Sequence, residues 1–146
     1  MQAVDGAAAT EALTTWVGWL REQSAGNGKV GTVGWCFGGG WSLNTAIAAP
    51  VDACVIYYGN VSKTAQDLST ISGPVLGHFA TLDGWINAEM VGGFQKSMMT
   101  AGKTDLTIHW YVANHAFANP SGGRYDEEDA ALSWARTLSF FHQNLG

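Results

Sequence analysis

Gly34-Trp35-Cys36-Phe37-Gly38 sets a thiol between two glycines in a G-x-C-x-G pattern, where a β-type run meets a helical one. This is the spacing of a nucleophile elbow, in which the reactive side chain sits on a strained strand-to-helix turn and points out of a sheet. Glycines two before and two after are expected because side chains there would collide across the turn. The turn aims the sulfur at the N-terminus of the following helix, whose dipole and free N–H groups favour a thiolate. The backbone N–H of Phe37 is then placed to face a substrate oxyanion. The competing reading is a buried cysteine in a turn whose glycines serve only close strand–helix packing.

A cysteine nucleophile needs a base to take its proton, usually His, and a carboxylate to orient the imidazole. Asp83 directly follows an apolar run, in Ala80-Thr81-Leu82-Asp83-Gly84, and His115 follows another, in Val112-Ala113-Asn114-His115. The chain order Cys36, Asp83, His115 is the nucleophile–acid–base order of α/β-hydrolases. Each residue also has a plainer reading. Asp-Gly is a common turn, and a loop histidine can simply bond to backbone. His78, His109 and His142 read as structural, and no His pair has metal-ligand spacing, so neither a metal nor a cofactor is expected.

These residues need a scaffold. Ala7 to Gln23 carries Leu13, Trp16, Val17 and Leu20 at helical spacing, and Ser24 to Gly28 breaks it. Lys29–Trp35 is a short strand, followed by a helix through Trp41 and Ile47 that Pro50 stops. Asp52–Tyr58 is a continuously apolar strand of the kind buried on both faces of a parallel sheet. A third strand spans Val75–Ala80, a helix Asn87–Ala101 and a fourth strand Leu106–Val112. A last helix, Glu127–Phe141, turns Leu132, Ala135, Leu138 and Phe141 inward. Strands alternating with helices predict an α/β fold: a three-layer parallel sheet of about four strands with flanking helices. Ligands bind such sheets at the carboxyl ends of the strands, where Cys36, Asp83 and His115 all fall.

The 146 residues predict one domain, 1–146, with one core. Seven Lys+Arg against twelve Asp+Glu give a net charge of −5, which argues against nucleic-acid or anionic-membrane partners. No apolar run approaches a spanning helix, and no secretory leader is evident. Cys36 and Cys54 both lie in or beside apolar runs, so they are expected as free thiols in a reducing, cytoplasmic setting, Cys54 as an inert core residue.

The residues resemble the dienelactone hydrolase family from Gly28 to the C-terminus. The likeness rests on G-x-C-x-G-G at Gly34–Gly39, on Tyr57-Tyr58-Gly59 at a strand end, on Asp83, and on His115-Ala116-Phe117. It implies a reduced α/β-hydrolase fold, a Cys36–Asp83–His115 triad, and hydrolysis of a small ester or lactone through an acyl-thioester. Family members extend about a hundred residues further at the N-terminus, where a second oxyanion donor, a glutamate touching the resting thiol and a substrate-binding arginine lie. An arginine expected after His-x-Phe is Asn119 here, and the glycine before the histidine is Asn114, which tolerates a left-handed backbone. Arg124 stands as a candidate for the lost cation. Trp35, Tyr58 and Phe117 complete the substrate-binding candidates, and plain short-chain esters are the expected substrates. The alternative is a catalytically impaired domain kept for binding or assembly. Lys29–Trp35 ends the sheet as an open edge, which predicts a homo-oligomer covering it or the first helix folded over it.

Overall fold

The computed structural model describes residues 3–146, leaving the first two residues of the expected 1–146 domain outside the description. Within it, α1 (Gly6–Arg21), β1 (Gly31–Trp35), α2 (Phe37–Ala48) and β2 (Ala53–Tyr57) are followed by α3 (Ala65–Leu68) and β3 (Val75–Ala80). Then come α4 (Ala88–Thr100), β4 (Leu106–Tyr111) and α5 (Glu127–Leu145). The four strands form one parallel sheet in the order β1-β2-β3-β4. The expected α/β architecture is therefore present, with the short helix α3 as an addition that the periodicity does not announce. A Thr64–Asp67 capping box holds that single turn. Gly26-Asn27-Gly28-Lys29-Val30-Gly31 spells G-x-G-x-x-G. It leads from a helix into a strand, the reverse of a dinucleotide-binding loop.

Because the strand order never reverses, crossovers of one hand lay their helices on one face of the sheet. Val17 of α1, Leu43 of α2, Leu68 of α3 and Phe94 of α4 join one core cluster with Cys54, Ile56, Val75 and Phe79. The alternate strand residues Val55, Tyr57, Leu76, Ala80 and Tyr111 point the other way and meet Phe140 and Phe141 of α5. Three layers result, with α5 covering the second face. At the foot of the sheet, Arg21 of α1 pairs with Asp52 at 2.9 Å, and Asp52 also accepts from the Val30 amide.

The face that α5 buries differs from the expected one. Leu132 and Leu138 are exposed, as is Ala135, while Ser133 and Thr137 are fully buried and Phe141 is half-buried. The reason is polar. Arg136 donates to the Tyr111 hydroxyl at 3.0 Å, so that hydroxyl is free to donate to His78 Nδ1 at 2.8 Å. His78 therefore carries its proton on Nε2 and donates it to Thr137 Oγ1 at 3.0 Å. Thr137 passes its own proton to the Ser133 carbonyl and accepts the Tyr57 hydroxyl at 2.7 Å. Every member of this buried chain is satisfied only if Thr137 faces inward, and that outweighs burying two leucines. The α1 stripe is corrected too. Val17 is buried, but Trp16 and Leu20 stay exposed, because α1 packs chiefly on α2.

Candidate active site

All four strands end at the site, and three residues with positive φ mark it: Cys36 (54°), Tyr58 (35°) and Ala116 (65°), the only non-glycines so found among the described residues. Left-handed backbone costs an L-residue about 1–2 kcal/mol, and such strain gathers at functional sites. Cys36 occupies the N-cap position of α2, as an elbow requires, with its amide held by the Tyr57 carbonyl at 3.1 Å. The left-handed residue near His115 is Ala116, not Asn114.

The sterics of the turn match one of the two expected glycines. A Cβ on Gly34 would lie 1.9 Å from the Gly38 carbonyl oxygen, so glycine is obligatory there. A Cβ on Gly38 would meet nothing within 4 Å. The crowding falls instead where α2 crosses the end of β2: a Cβ on Gly59 would sit 2.4 Å from the Gly39 backbone.

Asp83 is buried, and its two oxygens have separate tasks. Oδ1 accepts the amides of Trp85 and Ile86, both at 2.9 Å, while Oδ2 meets His115 Nδ1 at 2.6 Å. Asp83 is thus a turn residue and an imidazole partner at once. A carboxylate can only accept, so His115 carries a proton on Nδ1, which in the neutral ring leaves Nε2 as the acceptor. The ring lies 5.2 Å from that of Tyr58 and 5.9 Å from that of Trp85.

A cavity of about 280 Å³ opens over Cys36 and is bounded by Tyr58 and Trp85, the two rings that flank His115. Cys36 is half-buried and forms no hydrogen bond with His115 among the described residues. Burial pushes the thiol above its ordinary value, the Arg124 charge pulls it back and Asp83 pushes it further up. The resting group is accordingly a thiol, where the helix-dipole argument led to a thiolate. Phe37 is the first residue of α2, so its N–H has no partner within the helix.

The remaining candidates separate. Tyr58 lines the cavity. Arg124 is exposed on the loop before α5, within electrostatic reach of Cys36 but not on the cavity wall. Trp35 lies outside the cavity. Strand alternation turns it onto the α5 face, where it stacks on Tyr57 at 5.2 Å. Phe117 is fully buried, wedged between Tyr111 at 4.9 Å and Tyr58 at 5.3 Å, and so supports the site from beneath. Sequence reasoning missed Trp41, Asn44, Asn60, Lys63 and Trp85 on the cavity wall. Phe37, Trp41 and Asn44 follow helical spacing from the elbow, and Asn60 and Lys63 lie on the loop that leaves the end of β2, so both signals were available. No group of His, Cys, Asp and Glu among the described residues is arranged to hold a metal.

A profile of the dienelactone hydrolase family matches residues 2–145. The carboxymethylenebutenolidase of Pseudomonas putida is 33% identical over 144 residues, covering 95% of this chain and 59% of the relative. Carboxymethylenebutenolidase 1 of Cupriavidus pinatubonensis is 28% identical over 127 residues, covering 86% of this chain and 53% of its own. The chain thus spans between half and three fifths of the length of these relatives. A dienelactone hydrolase-like promiscuous phosphotriesterase from metagenomic libraries superposes with a TM-score of 0.85 at 26% identity, over 97% of this chain and 64% of that one. A thermophilic esterase of Thermogutta terrifontis shares the fold, with a TM-score of 0.68 at 15% identity over 94% of this chain and 65% of its own.

Proposed function

The chain belongs to the dienelactone hydrolase family, and from that premise we propose that it hydrolyses small, short-chain carboxyl esters or lactones through a Cys36–His115–Asp83 triad. One observation carries the reading: the 2.6 Å bond from His115 to buried Asp83, on a ring flanked by Tyr58 and Trp85, the two aromatics that share a cavity with a cysteine held at positive φ on a strand-to-helix turn. The likeness to carboxymethylenebutenolidases supports the same bond type.

In this mechanism the substrate carbonyl enters the cavity and closes the space between Cys36 and His115, since catalytic hydrogen bonds often tighten only in the complex. His115 Nε2 takes the thiol proton as sulfur bonds to the carbonyl carbon, and the oxyanion accepts from the Phe37 N–H. Collapse breaks the carbon–oxygen bond, and His115 returns its proton to the departing alkoxide. Water then attacks the thioester, giving one proton to His115. As the carbon–sulfur bond breaks, that proton restores the thiol and the acid leaves. Phe37 is the one oxyanion donor assigned, and loss of a single donor typically costs about 10²–10³ in rate.

The test is hydrolysis of p-nitrophenyl acetate and butyrate by the purified chain and by Cys36→Ala. The expected outcome is a fall of about 10³-fold or more in kcat/KM. Equal rates would remove the nucleophile from the mechanism. A second reading, a domain that binds or is acylated without turning over, draws on the raised thiol and the single donor. Its signature is one equivalent of acyl-thioester by mass spectrometry with no steady-state release.

A further inference from the structure

The cavity over Cys36 shares three wall residues, Ser62, Lys63 and Trp85, with a second groove of about 420 Å³ that runs along α4. The walls of this groove belong to the loops after the interior strands β2 and β3 and to α4, away from the β1 edge. Trp85 stands at the junction, 62% exposed, with its indole 5.9 Å from the His115 ring. In the mechanism above, His115 returns a proton to the departing alkoxide. The alcohol half of the ester must therefore lie on the His115 side, where Trp85 and the groove begin.

Hydrogen-bonding groups line the groove. Glu89, Gly93 and Ser97 follow one another at i, i+4 spacing on α4 and so share the side that faces it. Asn87 Oδ1 caps α4 by accepting from the Met90 amide at 3.0 Å, which leaves the side-chain N–H groups of Asn87 to other partners. Neither Lys63 nor Glu89 forms an ion pair among the described residues. Gly93 lacks a packing reason. A glycine inside a helix costs about 0.5–1 kcal/mol against alanine, yet a Cβ on Gly93 would meet nothing within 4 Å. No contact within the described residues requires a glycine there, and any side chain would take up space in the groove.

Resting on the ester hydrolysis proposed above, we infer that this groove is a leaving-group subsite and that its occupant is a neutral sugar, the alcohol part of the ester. One cation and one anion, Lys63 and Glu89, leave the groove without a net charge to select an ionic group. A long alkyl chain would strip water from Lys63, Glu89 and Asn87 and give them no partner in return. A sugar meets both conditions. Its hydroxyls donate to Glu89 and accept from Lys63 and Asn87, while the apolar C–H face of its ring lies on the exposed Trp85 indole. A site built to bond substrate hydroxyls rejects analogues that lack them. Hydrolysis breaks the acyl carbon–oxygen bond, leaves the acyl group on Cys36 and releases the sugar with a free hydroxyl.

The test compares glucose 6-acetate with cyclohexylmethyl acetate, two acetates of a primary alcohol on a six-membered ring, of which only the first carries ring hydroxyls. The protein is expected to favour the sugar ester by about tenfold or more in kcat/KM. Gly93→Leu has room for its side chain and a better helix former in place of glycine, so its urea midpoint should hold or rise. The preference for the sugar ester should fall in that variant by about fivefold or more. Binding is read separately, without turnover. Saturation-transfer NMR should show glucose 6-acetate on Cys36→Ala, and the signal should vanish in the Cys36→Ala, Gly93→Leu double variant. Equal kcat/KM for the two acetates, a preference unchanged in Gly93→Leu, or an NMR signal absent from Cys36→Ala or kept in the double variant would overturn the subsite. Hydrolysis of neither acetate would instead sink the esterase reading, and the NMR pair would then decide the subsite by itself.

Discussion

At Cys36, burial and the neighbouring Asp83 charge oppose ionisation while the Arg124 charge favours it, and the first of these dominates. Alkylation by iodoacetamide should therefore be slow at neutral pH and accelerate through the alkaline range as thiolate forms. Arg124→Ala removes the lowering influence. Labelling at a fixed, mildly alkaline pH should then slow severalfold, and an unchanged rate would detach Arg124 from the site. Cys54 is fully buried beside Ser42, and burial raises its pKa as well. It should label only on unfolding, which peptide mapping of the alkylated protein would show. Asp83→Asn keeps the turn but can present an amide N–H to Nδ1, selecting the other tautomer. The rate of ester hydrolysis should fall by about 10³–10⁴.

In α2 and α5, single positions separate what local pattern shows from what packing demands. Gly34→Ala drives a Cβ into the Gly38 carbonyl and should open the elbow, losing both the folded baseline and any activity. Gly38→Ala has room and should leave stability unchanged or raise it by up to about 1 kcal/mol in a urea titration. On α5, Thr137→Val strands the Tyr57 hydroxyl and the His78 Nε2–H in the core, at about 1–3 kcal/mol for each unsatisfied group. Leu132→Ser, on the exposed side, should stay within about 0.5 kcal/mol of wild type. The helical periodicity of α5 is plain in the sequence. Which stripe faces the sheet is not, because that depends on three hydroxyl- and imidazole-bearing partners from β2, β3 and β4.

For the molecule as a whole, the buried polar chain makes stability depend on acidity. Burial, chiefly, with the charges of His109 and Arg136, pushes His78 down to about 3. In the unfolded chain an ordinary histidine binds its proton near pH 6.5. Above that value His78 is neutral in both states and contributes no slope. Between about 6.5 and 3 only the unfolded state is protonated, so stability falls as pH falls, by up to about 1.4 kcal/mol per unit. Thermal melts at pH 7 and pH 5 should show this loss, and it should shrink in His78→Gln.

The α/β class, the four strands, the elbow and the order of its partners were legible in the chain itself. Alternation, glycine spacing and strand ends are local properties, each written in a few consecutive residues. The bond from His115 to Asp83, the inward turn of Thr137, the removal of Trp35 to the opposite face and the cavity shared by Trp41, Lys63 and Trp85 were decided only on folding. Each joins residues from separate strands and helices. Their distances are set by how the layers stack and how buried polar groups find partners, and no window of neighbouring residues contains that information.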